Sequence, residues 1–224
     1  MKIEIYIENH NALLPNGKTS KTAILLLHGF RSNSNELKKY VKLLNPLGYA
    51  CFVPNHIGHG GRNGQSLDWL GMVNEYYELI NDWQYYNSWI VIGHSLGGTL
   101  ALALAKHPKV KQIFAISAIH DESIFIGDIL KYFNRLIRNV GKIEIEQIKR
   151  ILVGNNHFTP EESEKIWLSH GKMDLIVRFD QFEKNVTQLH IPSQRFHILT
   201  YGGHYIMGKK EIGDWIKSQI IVPH

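Results

Sequence analysis

The stretch WIVIGHSLGGTLALALA, residues 89–105, is an apolar run that breaks on three glycines and one serine. Glycine destabilises the interior of a strand or helix by about 0.5–1 kcal/mol, so the break indicates a local steric demand. The residues before it are typical of a buried strand, and the small residues after it are typical of a buried helix. The stretch therefore predicts a strand that turns sharply into a helix at GHSLG, residues 93–97.

At such a turn the middle residue takes a strained backbone conformation that exposes its side chain. Side chains two positions before and after it would collide, so both positions require glycine. The pattern G-x-S-x-G puts Ser95 in the middle, with Gly93 and Gly97 at those two positions. A helix that begins at Leu96 also directs unpaired N–H groups and its positive end toward the serine. Ser95 is therefore a candidate nucleophile.

Along the rest of the chain, short β-branched and aromatic runs alternate with longer stretches of helical period. This alternation is typical of a parallel sheet wound with helices. We expect an α/β fold with a mostly parallel sheet of about seven strands, formed as a single domain over residues 1–224. The predicted strands are 2–7, 22–29, 49–54, 89–94, 110–118, 165–171 and 194–201. The predicted helices lie near 34–45, 68–86, 96–107, 179–189 and 209–220.

The segment 123–160 departs from this alternation because it is long and contains no strand pattern. Its apolar residues recur at helical spacing, and basic residues supply a second face. We expect a small helical insertion, which either packs on the sheet as an ordinary helix or covers a pocket as a lid. The apolar residues are Ile126, Ile129, Leu130, Phe133, Ile137 and Val140, and the basic ones are Lys131, Arg135, Arg138, Lys142, Lys149 and Arg150.

Composition excludes several classes of protein. The chain has 25 basic and 20 acidic residues, and this excess is too weak and dispersed to predict nucleic-acid binding. No apolar run approaches the roughly 20 residues of a membrane span, and MKIEIYIENHN has no secretory leader pattern. The lone Cys51 sits in an apolar strand pattern and is expected to be a packed thiol. We expect a soluble cytoplasmic protein without stable membrane insertion, as a monomer or a homodimer.

A serine hydroxyl is a weak nucleophile near neutral pH and needs a base that a third group holds in place. Asp174 follows the sixth predicted strand and His204 the seventh. Both are expected at the carboxyl edge of the sheet, where the ligands of open α/β sheets collect. The order Ser95, Asp174, His204 is the one expected of an α/β hydrolase. Asp121, after the fifth strand, is a rival for the acid, and Glu122 is a further alternative.

Five motifs occur in order across residues 25–206: LLLHGFRSNSNE, PNHIGHG, IGHSLGG, HGKMDLIV and GGHYI. Together they resemble the α/β-hydrolase superfamily, and small bacterial carboxylesterases and monoacylglycerol lipases above all. The resemblance implies that Ser95 is the nucleophile, that His204 is the general base and then acid, and that Asp174 fixes the histidine tautomer. It also implies an oxyanion hole made by the backbone N–H groups of Phe30 and Leu96.

The resemblance implies a serine hydrolase that cleaves a small carboxylic ester through an acyl-enzyme intermediate, with no cofactor and no metal. A small insertion covers little of a long acyl chain, so short or medium acyl groups are expected. Peptide, thioester or carbon–carbon cleavage stays open because the same three residues serve all of these reactions. A binding module on an inactive scaffold is a third alternative, which intact site residues disfavour.

Six further residues are candidates for the substrate pocket: Arg31, Ile126, Ile129, Phe133, Val177 and Tyr205. His56 and His59 have a spacing that two ligands of one metal ion could share, but no cysteine or further histidine stands nearby, so a glycine-rich loop is favoured.

His28 and His94 are expected to support loops, His120 to be a satisfied polar residue, and Tyr201 and Tyr205 to be packing residues. Only one strand is predicted before residue 22, where many relatives have a hairpin. We therefore expect a sheet that is trimmed at this edge.

Overall fold

The strand that precedes the serine turn lies in the interior of the sheet. The computed structural model of the chain describes residues 4–7, 10–14, 20–121 and 142–220. In it, β5 (Ser88–His94) runs parallel to β3 (Thr22–Leu27) on one side and to β6 (Val110–Ile116) on the other. Because strands cover both edges of β5 and helices cover both faces, its apolar run is buried throughout.

The described strands form one sheet in the order β1-β2-β4-β3-β5-β6-β7-β8. The strands from β3 to β8 are parallel, and the first two are antiparallel. The predicted mostly parallel sheet is therefore confirmed. The remaining strands are β1 (Glu4–Ile7), β2 (His10–Leu13), β4 (Ala50–Pro54), β7 (Ile166–Gly171) and β8 (Phe196–Leu199).

The prediction of one strand before β3 is wrong. A second strand, β2, pairs with β1 in a hairpin and also with β4, so the sheet is not trimmed at this edge. Its sequence, HNAL, contains no β-branched or aromatic residue and so carries little strand preference of its own. Backbone hydrogen bonds to a strand on each side stabilise it instead.

The helices lie close to their predicted positions, with shorter ends. Residues Ser34–Leu37 form a 3-10 turn before α1, and the Asp68 side chain caps α2 by accepting the N–H of Gly71. None of the described helices is both long enough and apolar enough to cross a bilayer. The described α-helices are α1 (Lys38–Leu44), α2 (Trp69–Asp82), α3 (Leu96–Ala103), α4 (Lys142–Asn155), α5 (Pro160–Ser163), α6 (Phe179–Gln188) and α7 (Lys210–Gln219).

Alternate residues of the strands build two cores, one on each face of the sheet. Leu25 of β3 points into the core that α2, α3 and α6 share, and Leu26 points into the core beneath α1 and α7. Cys51 is fully buried in the second core, where burial raises the pKa of its thiol to about 12. The prediction of a packed thiol is confirmed.

Within the predicted insertion, α4 packs on the body of the protein. Its side chains Ile148, Ile151 and Leu152 are buried, and the amide of Asn155 donates to the carbonyl of Thr99 at 2.9 Å. The apolar residues predicted for the insertion, including Ile126, Ile129 and Phe133, lie outside the described residues.

The topology brings four loops together at the carboxyl edge. The chain leaves β3 toward β4 on one side of the sheet and leaves β5 toward β6 on the other side. Such a reversal of strand order opens a crevice between the two loops that follow the strands. The loops after β7 and β8 reach the same edge, because all of these strands are parallel.

Candidate active site

The serine turn has the strained geometry that its sequence predicts. Ser95 has a positive φ of 54° and joins β5 directly to α3. A Cβ added at Gly93 would overlap the carbonyl of Gly97, and one added at Gly97 would overlap the carbonyl of Leu27. Both glycines are therefore required by backbone atoms that cannot move aside, which is the predicted reason for the break in the apolar run.

Ser95, His204 and Asp174 form one hydrogen-bonded row. The Nε2 atom of His204 lies 3.0 Å from the Ser95 hydroxyl, and its Nδ1 atom lies 2.8 Å from Oδ2 of Asp174. An ionised carboxylate can only accept, so Nδ1 carries the proton and Nε2 presents its lone pair to the serine. The arrangement can therefore take a proton from Ser95.

Four contacts hold the Asp174 carboxylate in place. Oδ1 accepts the N–H groups of Ile176 and Val177 at 2.8 and 2.9 Å, while Oδ2 faces His204 and lies 3.4 Å from Nε2 of His170. Burial raises the pKa of Asp174, but the hydrogen bonds and charges of His170 and His204 outweigh it and hold this pKa well below its usual range. Asp174 is therefore ionised at neutral pH.

The backbone of Val177 bonds both Asp174 and His170. Besides donating to Asp174, it accepts the Nε2 proton of His170 at 2.7 Å, and its side chain packs in the core beneath α6.

Burial lowers the pKa of His204, and the Asp174 carboxylate opposes this effect only in part. The net pKa lies below the ordinary value of 6.5, so the imidazole is neutral at pH 7. A neutral imidazole beside a hydroxyl is the state that a general base requires.

The rival acid lies elsewhere. The Asp121 carboxylate is 2.6 Å from the ammonium of Lys184 and accepts the amide N–H of Gln181 at 3.2 Å, both on α6. The structure thus brings Asp174 to His204 and ties Asp121 to a helix. Glu122 lies outside the described residues.

The two predicted oxyanion donors lie on either side of Ser95. Leu96 is the first residue of α3, and Phe30 belongs to the loop after β3. A Cβ added at Gly29 would lie 3.5 Å from Cβ of Ser95, so this loop packs against the serine turn. In the described turns and caps, neither the Phe30 N–H nor the Leu96 N–H makes a backbone hydrogen bond. The prediction that both groups donate to an oxygen bound at Ser95 stays a prediction.

Two buried histidines fix the loop that carries Phe30. His56 donates from Nε2 to the carbonyl of His28 at 2.7 Å, and its backbone N–H donates to Nε2 of His28 at 3.2 Å. The second ring nitrogen of His56 bonds the hydroxyl of Tyr76. Burial lowers the pKa of His28 to about 4 and that of His56 well below 6.5, so both rings are neutral.

The supporting role predicted for His28 is confirmed. The contribution of Tyr76 was missed, because nothing in α2 marks one tyrosine as facing a loop histidine.

His94 and Glu36 connect three parts of the site. Nδ1 of His94 lies 2.6 Å from Oε1 of Glu36, and Nε2 of His94 lies 2.9 Å from the carbonyl oxygen of His204. The other oxygen of Glu36 accepts the N–H of Gly29 at 3.1 Å. Loop support by His94 was predicted, but the part played by Glu36 was missed.

A cleft of about 570 Å³ opens beside the loop after β3. Arg31 is exposed at this cleft with a φ of 57°. The lining is mostly polar and consists of Phe30, Arg31, Ser32, Asn33, Gly58, His59, Gly60, Asn63, Gln65, Ser66 and Leu67.

The remaining predicted residues have simpler positions. His120 is a satisfied polar residue as predicted, because its Nδ1 lies 3.1 Å from the amide oxygen of Asn185. Tyr201 and Tyr205 are 88% and 73% exposed, so the prediction that both pack is wrong. They follow β8 in the loop that places His204, and the ring of Tyr205 lies 5.3 Å from the His204 ring. Tyr205 is therefore at the rim of the site.

The chain is similar in sequence to several known proteins. The family model described as serine aminopeptidase, S33, matches residues 18–157. A carboxylesterase of Bacillus subtilis is 32% identical over 135 residues, which cover 57% of this chain and 53% of that protein. A thermostable monoacylglycerol lipase of a Bacillus species is 32% identical over 104 residues, which cover 44% of this chain and 41% of that protein. The chain thus spans about half the length of the curated relatives it matches.

Among solved structures, a lipase-esterase related protein from Clostridium acetobutylicum has the same fold. The two share 19% sequence identity with a TM-score of 0.64, over 95% of this chain and all of that one.

Proposed function

The chain belongs to the serine aminopeptidase S33 family of α/β hydrolases, and on that premise we propose that it is a serine hydrolase that cleaves small carboxylic esters. The observation that carries the proposal is the row of hydrogen bonds from Ser95 through His204 to Asp174. Similarity to a carboxylesterase and a monoacylglycerol lipase favours esters over other acyl compounds. Cleavage of a peptide bond by the same residues is the second candidate, because the family description names an aminopeptidase.

In the first half of the reaction, the Ser95 oxygen attacks the ester carbonyl carbon while its proton moves to Nε2 of His204. The carbonyl oxygen becomes an oxyanion, which the N–H groups of Phe30 and Leu96 stabilise. The carbon–oxygen bond to the alcohol then breaks, and the alcohol leaves with the proton that His204 carries. Asp174 stabilises the imidazolium between these two steps.

In the second half, water attacks the acyl group on Ser95, and His204 accepts a proton from that water. A second oxyanion forms and collapses, which breaks the bond to Ser95 and returns the proton to the serine oxygen. The carboxylic acid product then leaves. The low pKa of His204 supports this cycle, because each half begins with a neutral imidazole.

The proposed substrate has a short or medium acyl chain and a polar alcohol. The first part rests on the small size of the segment 123–160, which we propose forms a helical cap on a single-domain hydrolase. The second part rests on the polar cleft that Phe30 and Arg31 line, which we propose receives the alcohol. Arg31 at the cleft favours an alcohol that bears a carboxylate.

The nucleophile can be tested with a fluorophosphonate probe and a panel of esters of two to twelve carbons. We expect the probe to label wild-type protein at one residue, and Ser95→Ala to abolish labelling and reduce ester hydrolysis about 10⁴-fold or more. Ser66→Ala, a change at the cleft, is the matched control and should label normally. An aminoacyl anilide in the panel distinguishes the second candidate. A pure Ser95→Ala protein that keeps a tenth of wild-type activity contradicts the proposal.

A further inference from the structure

The half-buried Glu36 and the buried His94 are titratable groups that the proposed reaction does not consume. The His94 side chain is 1% exposed and the Glu36 side chain is 19% exposed. Glu36 sits in the 3-10 turn before α1, and His94 immediately precedes Ser95. Neither group belongs to the row of Ser95, His204 and Asp174, yet their bonds join the loops that carry Phe30 and His204 to the serine turn.

The hydrogen bonds define the protonation state of His94. A backbone carbonyl can only accept, so the ring nitrogen that faces the carbonyl of His204 carries a proton. The other ring nitrogen faces the Glu36 carboxylate, so one proton lies between these two groups. Whichever of the two groups is more acidic gives up this proton.

The surroundings of Glu36 favour its ionised form. Burial raises the pKa of Glu36, but hydrogen bonds from His94, Ser32 and the Gly29 N–H, together with the charge of His94, lower it to about 2. An ionised carboxylate can only accept, so the 2.6 Å contact assigns the shared proton to the His94 ring.

We propose that Glu36 and His94 form an ion pair that positions the catalytic groups, an inference that rests on the proposed function. The carboxylate holds the loop of Phe30 through the Gly29 N–H, and the imidazolium holds the loop of His204 through its carbonyl. The pair thereby fixes the oxyanion donor and the general base relative to Ser95. Small displacements of such groups lower the rate of the chemical step more than they weaken substrate binding.

The pair also acts on His204 through charge. The rings of His94 and His204 lie 5.0 Å apart, so a fixed imidazolium opposes a second positive charge on the base. Among the described residues, Asp174 also faces His204 and favours its protonation, His170 opposes it, and the Tyr205 ring lies 5.3 Å away. Burial raises the pKa of Tyr40, and the charge of Glu36 adds to this rise.

Removal of the His94 charge shifts the pKa of His204 in one direction. Without the imidazolium, the pKa of His204 rises, so a higher pH is needed to free the base. The acidic limb of the profile of kcat/KM against pH therefore moves upward.

Nitrogen-15 NMR of histidine-labelled protein tests the charge directly, and His94→Gln assigns the signal by its loss. We expect both ring nitrogens of His94 to be protonated at pH 8 in the wild-type protein. A single unprotonated nitrogen at that pH overturns the ion pair. This measurement needs no substrate, so its outcome is independent of whether the protein cleaves esters.

Kinetics test the positioning role. We expect Glu36→Gln to lower kcat about 10- to 100-fold while KM stays within about threefold. We expect His94→Gln to move the acidic limb up by about half a pH unit or more. Glu75→Gln is the matched control, because it breaks a second partly buried ion pair, with Arg62 at 2.7 Å, away from Ser95.

The rate of fluorophosphonate labelling of Ser95 gives the same readouts without an ester. If the wild-type protein labels with the expected pH dependence but cleaves no ester, the proposed function fails and the ion pair stands. Glu36→Gln and His94→Gln can both lose stability, as Glu75→Gln does. If they keep the wild-type labelling rate and the wild-type position of the acidic limb, the positioning role is wrong.

Discussion

Two groups of three buried histidines lie at the carboxyl edge of the sheet, and they differ in what they bond. The rings of His28, His56 and His59 bond backbone groups and one tyrosine hydroxyl. In the other group, each ring lies against a carboxylate. The difference teaches that the partner of a buried imidazole decides whether it supports a loop or handles a proton.

In the first group no ring carries charge at neutral pH. Burial is the largest cause that lowers the pKa of each of its histidines. Their rings lie 3.9 to 5.7 Å apart, a spacing at which several positive charges would repel strongly. The group is a neutral scaffold for the loop that holds Phe30.

In the second group, His204 and His170 face Asp174, and His94 faces Glu36. Each carboxylate favours the protonated form of the imidazole that it faces, and for His204 this opposes the effect of burial on the pKa. The group can therefore hold the proposed ion pair of Glu36 and His94 beside a ring that gains and loses its proton, on His204. Five predictions of decreasing size test this contrast, and the largest effect is the loss of the nucleophile in Ser95→Ala.

A comparably large effect is expected when the carboxylate of the second group is neutralised. Asp174→Asn leaves the row in place but allows the wrong tautomer of His204, so kcat should fall by up to about 10⁴-fold. Asp121→Asn is the control, since that carboxylate pairs with Lys184, and it should lose far less activity. Steady-state kinetics of the two purified variants measure both losses of kcat. The reverse order would move the acid to the loop after β6.

Glu36→Gln is expected to cause the next largest loss of kcat, because it disturbs the alignment of the reacting groups and leaves them all present. A loss of kcat as large as that of Asp174→Asn would contradict the distinction between a group that handles the proton and one that positions it.

The parts of the molecule that the sequence predicts are those in which neighbouring residues act together. The turn at Ser95 is predictable because Gly93 and Gly97 both stand two positions from the serine, although the clash that Gly97 avoids is with Leu27 of β3. Asp174 and His204 are predictable because each follows a run of residues with a strong strand pattern. The parts that were missed depend on contacts between distant residues.

Glu36 meets His94 across 58 positions, and β2 forms because two other strands flank it. Neither partner of such a contact lies in a local sequence pattern that predicts the other partner. The exposure of Tyr201 and Tyr205 was missed for a related reason, since an aromatic residue beside a glycine-rich turn packs or projects according to the loops around it.

A smaller effect is expected in the neutral group. Tyr76→Phe leaves the Nδ1 lone pair of His56 buried without a donor, which costs about 1–3 kcal/mol of unfolding free energy. Because no charge is involved, the loss should be the same between pH 6 and pH 9, and kcat should fall only severalfold. Denaturant unfolding at several pH values measures it. Tyr77→Phe, at the next position of α2, is the control, and a loss that varies with pH would show that His56 titrates.

The smallest effect concerns Arg31, the cation at the cleft that His59 also lines. Because the histidines of the first group are neutral, we expect Arg31 to supply the positive charge that an anionic alcohol meets there. The guanidinium is exposed, and exposed ion pairs contribute about 0.2–1 kcal/mol, so Arg31→Gln should raise KM about two- to fivefold for an ester whose alcohol bears a carboxylate. Its kcat should not change, and KM for the neutral ester of the same size should stay constant. Added salt should shrink the difference between the two esters in the wild-type protein and not in the variant. Lys210→Gln removes an exposed cation that pairs with Asp214, and it serves as the control. An equal rise of KM for both esters in Arg31→Gln would mean that the residue shapes the loop after β3, and charge selection at the cleft would then be wrong.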